Sequence, residues 1–236
     1  MKRIIITTLF LAAALSSFSQ SNFYKFSIGG GFGATQSFTE VQKHGFGLSG
    51  YGTLDYLFTP FASLGLEIQK GEVNGGDFKN DPLNREFVNS YQSFAFNAKV
   101  SLGQVLNDRY NGPSDLVKGI YMGAGAGVIK SSTLFTTGLD PNNNAFATVD
   151  NLDSKDVFFP LNLGINIHFP DREGFYRYVL NLNYQANITL GEGLDGYDDS
   201  KITFQSGTVD VFTFFSVGVK YNFGTMGLSR KTFRKY

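Results

Sequence analysis

The chain has 236 residues, among them 28 glycines, 25 phenylalanines and 12 tyrosines, with no cysteine and no tryptophan. The missing cysteine excludes disulfides, thiolate metal sites and anchorage through a lipidated Cys. Formal charge is zero overall, but the stretch 20–229 is acidic by six charges while both ends are basic. That distribution argues against a nucleic-acid partner, which requires a basic face. Glycine and aromatic abundance fits strands and turns better than helices.

Lys2 and Arg3 precede an apolar run from Ile4 to Leu15, and Ser17-Phe18-Ser19 supplies small residues for cleavage before Gln20. This reads as a signal peptide over 1–19. No later stretch reaches 18 apolar residues, so any span of a membrane must be made of strands closed into a barrel.

Eight period-2 segments follow, at about 23–36, 44–58, 62–73, 90–102, 118–131, 156–169, 175–190 and 209–223. The sixth alternates most regularly, with Val157, Phe159, Leu161, Leu163, Ile165, Ile167 and Phe169 on one face. Each is long enough for a tilted transmembrane strand. Thr59-Pro60-Phe61 and Pro170 to Gly174 read as tight turns. The segments 37–43, 74–89, 132–155 and 191–207 read mostly as longer polar loops. Short turns at one end and long loops at the other are the outer-membrane pattern, with both termini on the periplasmic side. The connection 103–117 is long for a periplasmic turn.

A soluble lipocalin-like barrel would also alternate. Against it, the opposite face is polar: Ser49, Thr53, Gln69, Asn97, Asn162, Asn181, Asn183, Gln185 and Asn187 among others. Aromatics crowd the turn-side strand ends (Tyr24, Phe26, Tyr56, Phe58, Phe61, Phe169, Tyr176, Tyr178, Tyr221, Phe223), as in an interfacial girdle. The last segment ends Ser216-Val217-Gly218-Val219-Lys220-Tyr221-Asn222-Phe223. Its Gly218, Tyr221 and Phe223 resemble the closing signal that outer-membrane barrels present to the barrel assembly machinery.

On this pattern the chain resembles the small outer-membrane β-barrel family, the OmpA/OmpX-like eight-stranded group, over nearly all of 20–223. The resemblance implies an all-β, eight-stranded antiparallel up-and-down transmembrane barrel, monomeric in outer-membrane lipid. With only residues 224–236 left as a short basic periplasmic tail, no peptidoglycan-binding domain is expected.

Eight strands enclose an interior that side chains fill. Lys25, Asp55, Glu67, Lys99, Arg177 and Lys220 point inward by phase and are expected to pair as a lumen network, because an unpaired buried charge is costly. Gly29, Gly31 and Gly33 on the first strand face Gly123, Gly125 and Gly127 on the fifth. Tyr51, Tyr91, Tyr121, Phe158, Phe212 and Phe214 are expected to pack over them, or to leave a small ligand pocket. Glu192, Asp195, Asp198 and Asp199 in the fourth loop are carboxylates that could hold a hard cation, although their spacing departs from the EF-hand loop. His44 and His168 lack a sequence-local Ser and carboxylate partner, so no catalytic residue and no cofactor are expected. The resulting expectation is a non-enzymatic barrel with a structural or surface-interaction role that is not a general porin. The alternative is a transport or secretion accessory that binds a small ligand or a periplasmic protein through 103–117 and the tail.

Overall fold

The structure, a computed structural model, describes residues 21–38, 45–77, 86–106, 115–139, 146–149, 152–190 and 210–229. In chain order the strands are β1 (Ser21–Phe38), β2 (Phe46–Thr59), β3 (Ala62–Gly76), β4 (Glu86–Ser101) and β5 (Ile120–Leu139). They continue as β6 (Phe146–Val149), β7 (Leu152–Pro170), β8 (Tyr176–Thr189) and β9 (Val211–Ser229). Eight of them form a closed antiparallel ring in which every strand pairs with its sequence neighbour, β4 meets β5, and β9 returns to β1. β6 stands outside the ring, paired with residues 136–139 at the far end of β5. The expected eight-stranded up-and-down transmembrane barrel is the fold.

The ring forms because the sequence alternates with period 2, so each strand sends its even and odd residues to opposite faces. In β4 every second residue from Phe87 to Ser101 is buried, while Phe94, Phe96 and Val100 are 44–49% exposed. β7 repeats the pattern with Val157, Phe159, Leu161 and Leu163 outward. An apolar belt that circles the molecule, around a polar interior, is stable only with hydrocarbon outside. Among the described residues no helix is long and apolar enough to cross a membrane; strands make the crossing.

The end of the barrel with short connections carries an aromatic girdle. Phe26 packs edge-on against Tyr56, Tyr56 against Phe58, and Tyr221 stacks on Phe223. Two expected members of that girdle take other places. Phe61 is only 3% exposed: it folds under the 3-10 turn Leu102–Gln104, against Gly103. Tyr24 is covered by Phe175 and by the Arg177 guanidinium. The long 102–119 connection carries that 3-10 turn and α1 (Asp115–Lys118), whose Gly119 binds the Asn166 backbone through its carbonyl.

Strand limits differ from the sequence reading mainly at the ends. β3 and β4 extend into the expected second loop, reaching Gly76 and starting at Glu86. β5 runs to Leu139 and β7 starts at Leu152, so much of the expected third loop is strand. β9 continues past Phe223 to Ser229, pairing with Ser21–Tyr24 of β1 across a register shift. Gly224 sits in that shift at φ 88°, a left-handed conformation that glycine adopts without penalty.

Candidate functional site: the barrel lumen

The lumen is filled in two layers. Toward the turn end lies a charged and amide layer. Lys220 Nζ donates to Asp55 Oδ2 at 2.7 Å, and Lys99 Nζ donates to Glu67 Oε2 at 3.2 Å. The four side chains are at most 9% exposed. The other Glu67 oxygen, Oε1, accepts from Gln69 Nε2 at 2.7 Å and from Gln185 Nε2 at 2.8 Å. β3 and β8 are four apart in the eight-stranded ring. The Glu67–Gln185 bond therefore spans the full width of the lumen.

An asparagine ladder continues this layer around the wall. Asn162 Nδ2 donates to Asn97 Oδ1 at 3.3 Å, and Asn183 Nδ2 donates to Asn162 Oδ1 at 2.9 Å. Asn181 Nδ2 reaches both Asn166 Oδ1, at 2.8 Å, and the Tyr121 hydroxyl, at 2.9 Å. That hydroxyl donates to Asn183 Oδ1 at 2.9 Å, and the Tyr51 hydroxyl donates to Asn181 Oδ1 at 3.2 Å. The bonded amide atoms lose little relative to water, whereas Asn97 Nδ2 is buried with no hydrogen-bond partner among the described residues and bears the desolvation penalty.

Toward the loop end an apolar cluster joins buried polar side chains such as Thr35, Ser37, Asn89, Ser131 and Asn187. Val73, Phe87, Tyr91, Ala95, Ile129, Phe158 and Phe212 form one buried cluster. Phe87 is missing from the sequence reading because it lies in a segment taken as loop; Val73 is the last residue of the third segment, with inward phase. Carrying the inward phase of Tyr91 back through Asn89 finds Phe87.

The two glycine columns are where large inward side chains cross. A β-carbon on Gly31 would strike the Tyr51 ring, and one on Gly218 the Tyr51 hydroxyl. Lys220 lies over Gly29, Lys99 over Gly123, Asn97 over Gly125 and Phe158 over Gly127. The columns are occupied by lumen side chains. Within the lumen a space of about 40 Å³ lies around Asp55, Lys99 and Lys220, lined also by Pro60 and Phe61, with room for a few waters at most.

Of the six charged residues expected to meet in the lumen, four form the two ion pairs above. Lys25 is half-buried at the turn end. Arg177 is displaced from the lumen by a register shift at Phe169/Pro170. Its guanidinium lies over the Tyr24 and Tyr221 rings, donates to both hydroxyls and pairs with Asp171 at 3.1 Å. A period-2 count assumes no bulge, so it misplaces Arg177; Lys25 too lies at a register shift, between Tyr24 and Phe26.

His168 Nδ1 lies 3.1 Å from the Asn166 carbonyl and its ring meets Tyr176 edge-on. Among the described residues no group of three or more His, Asp or Glu side chains could hold a metal. His44, Glu192, Asp195, Asp198 and Asp199 lie outside the described residues.

No protein-family model matches the chain, and no curated protein matches it. Solved structures do. Neisserial surface protein A (NspA) superposes with a TM-score of 0.51 at 10% identity, covering 87% of this chain and 99% of that one. The fold is that of small outer-membrane β-barrels. At this identity the likeness is one of fold. Two further structures align more loosely. Ail, the attachment invasion locus protein of Yersinia pestis, in complex with the heparin analogue sucrose octasulfate, gives a TM-score of 0.44 at 11% identity, covering 85% of this chain and 99% of that one. The N-terminal β-barrel domain of Pseudomonas aeruginosa OprF gives 0.37 at 11% identity, covering 86% and 100%.

Proposed function

We propose that the chain is a non-enzymatic integral protein of a bacterial outer membrane whose barrel is plugged and whose work is structural or done at the surface. The turn end and both termini face the periplasm in this reading, and the long connections face outward. One observation carries it: Glu67 on β3 and Gln185 on β8 are hydrogen-bonded across the lumen, with ion pairs and amides packed on either side. A continuous water path would have to break that bond and solvate two buried lysines. Gly218, Tyr221 and Phe223 are proposed as the closing signal for assembly. Gly218 has a second role in this fold, because Tyr51 fills the space above it.

The test is conductance. Purified, folded protein in planar bilayers is expected to give no large, steady current, since eight strands enclose only side chains. Steady channels in the nanosiemens range would overturn the plug and favour a transport role.

A further inference from the structure

The long connection between β4 and β5 is built inside out. Leu102 and Val105, in and just after the 3-10 turn, and Leu116 and Val117 of α1 are 38–78% exposed, while Lys118 is 2% exposed. Gln104 also turns to the protein, where its Oε1 accepts from the Thr59 hydroxyl at 2.8 Å. Asp115, the exposed charge of α1, receives the Tyr176 hydroxyl at 3.2 Å. A connection standing in water would expose its lysine and cover its leucines and valines.

Its place in the wall says what covers those apolar side chains. The pairing of β5 with β7 ends at Ile120 and Ile165. Beyond it the Asn166 amide donates to the Gly119 carbonyl at 2.9 Å, and α1 stands against the end of β7, where β5 would have continued. That puts α1 at the depth of outward Phe169, within the girdle. Leu102 follows outward Val100, and Ile120 precedes outward Met122, so the connection leaves the ring from inside the apolar belt. In the same sector the aromatic girdle has a gap. Phe26, Tyr56, Phe169, Tyr178 and Tyr221 supply it on β1, β2, β7, β8 and β9. The last outward residues of β3, β4 and β5 at this end are Ala62, Leu64, Ala98, Val100, Ile120 and Met122, none of them aromatic. Phe61, which could have filled the gap, is held under Gly103.

We propose that Leu102, Val105, Leu116 and Val117 are a membrane-interface anchor that seats this connection in the periplasmic leaflet and completes the girdle across β3, β4 and β5. The occupant is phospholipid at the boundary between headgroups and acyl chains, where an amphipathic segment lying along a bilayer settles. Aromatic rings mark that boundary on the other strands. Here the aliphatic side chains of a folded connection mark it. The length of the connection serves contact with lipid, and its apolar face is not a docking surface for a soluble protein. The inference rests on the barrel standing in a bilayer and is independent of what fills its lumen.

The experiment is depth-resolved quenching in the full chain. The protein has no tryptophan, so a single one introduced by substitution reports alone. Leu116→Trp and Val105→Trp probe the anchor, Leu163→Trp the middle of the belt, and Glu173→Trp the turn between β7 and β8. All of these positions are exposed, so a larger ring meets no packed neighbour. Each variant is folded into phosphatidylcholine vesicles brominated either near the carbonyl or near the middle of the acyl chain, and only protein with folded, heat-modifiable mobility is read. Leu116→Trp and Val105→Trp are expected to emit to the blue of Glu173→Trp and to lose more intensity to the shallow bromines than to the deep ones. Iodide supplied on both faces of the bilayer should leave them bright. Leu163→Trp should show the opposite depth preference, and Glu173→Trp should answer to iodide alone. If iodide quenches both anchor variants and the bromines do not, the surface faces water and the proposal is overturned. Shielding from both quenchers would overturn the lipid assignment in favour of a second copy of the chain. Should Leu163→Trp also escape the bromines, the barrel reading falls with the anchor; with Leu163→Trp quenched, the anchor fails alone.

Discussion

The two halves of the lumen solve the same filling problem in opposite ways. The turn-end half holds two ion pairs, an amide bond across the barrel and an asparagine ladder. The loop-end half is built around a cluster of aliphatic and aromatic side chains, with uncharged polar residues between them. Rings and branched chains can settle into a vacancy after one is lost, and each loss adds to the last. A charge network cannot, because every member that leaves strands a partner in low dielectric. The polar half therefore fixes one arrangement of the barrel, and the apolar half contributes volume.

The largest expected effect tests that difference directly. Glu67→Ala strands Lys99 and removes the acceptor of Gln69 and Gln185. It should destabilise the barrel by about 3–5 kcal/mol, the cost of breaking a buried pair from one side. Adding Lys99→Met should recover most of the loss, because no charge then remains buried without its partner. Urea unfolding followed by heat-modifiable gel mobility reads both. If the second substitution deepens the loss, the network behaves as ordinary packing and the distinction between the halves collapses.

In the apolar half the sign of the coupling should reverse. Ile129→Ala removes a side chain that is 1% exposed, at an expected cost of about 2–5 kcal/mol. Adding Phe158→Ala from the same cluster should cost more, with no rescue. A double variant more stable than Ile129→Ala would show that this layer is strained rather than packed.

These two halves were not equally legible in the sequence. Wherever hydrocarbon lies on one side and lumen on the other, alternation is enforced residue by residue, and inward Asp55, Glu67, Lys99 and Lys220 could be read from phase alone. The same phase places Gln69 and Gln185 inward but says nothing of their bond, which depends on the ring bringing β3 opposite β8. Past the belt that enforcement ends. The far parts of β3, β4, β5 and β7 have no lipid-facing stripe, so Phe87 and residues 132–139 look like loop although the hydrogen-bond ladder continues through them. Arg177 and the course of β9 beyond Phe223 were hidden for another reason: register shifts interrupt the count at both places. Cross-strand register also makes rows that the sequence does not show: Lys70, Gln92, Lys130 and Lys155 stand in one row, although Lys70 and Lys130 are 60 residues apart and Lys130 and Lys155 are 25.

The smallest effect lies where the halves meet. Tyr91 belongs to both: its ring packs on Phe212 at 5.2 Å between centroids, and its hydroxyl lies 2.9 Å from Ser49 Oγ and 3.3 Å from Gln69 Oε1. Tyr91→Phe keeps the ring and removes the hydroxyl. The expected cost is about 1 kcal/mol, the net worth of a buried hydrogen bond. Because Gln69 also binds Glu67, this loss should couple to Glu67→Ala, whereas it should simply add to Ile129→Ala. Contacts within one polar network show such interaction energies, and independent sites do not. Additivity with Glu67→Ala would mean that the Tyr91 hydroxyl is only a local bond to Ser49. Coupling would mean that the charge layer extends up to the aromatic ring, and that Tyr91 is the residue through which the two fillings share one register.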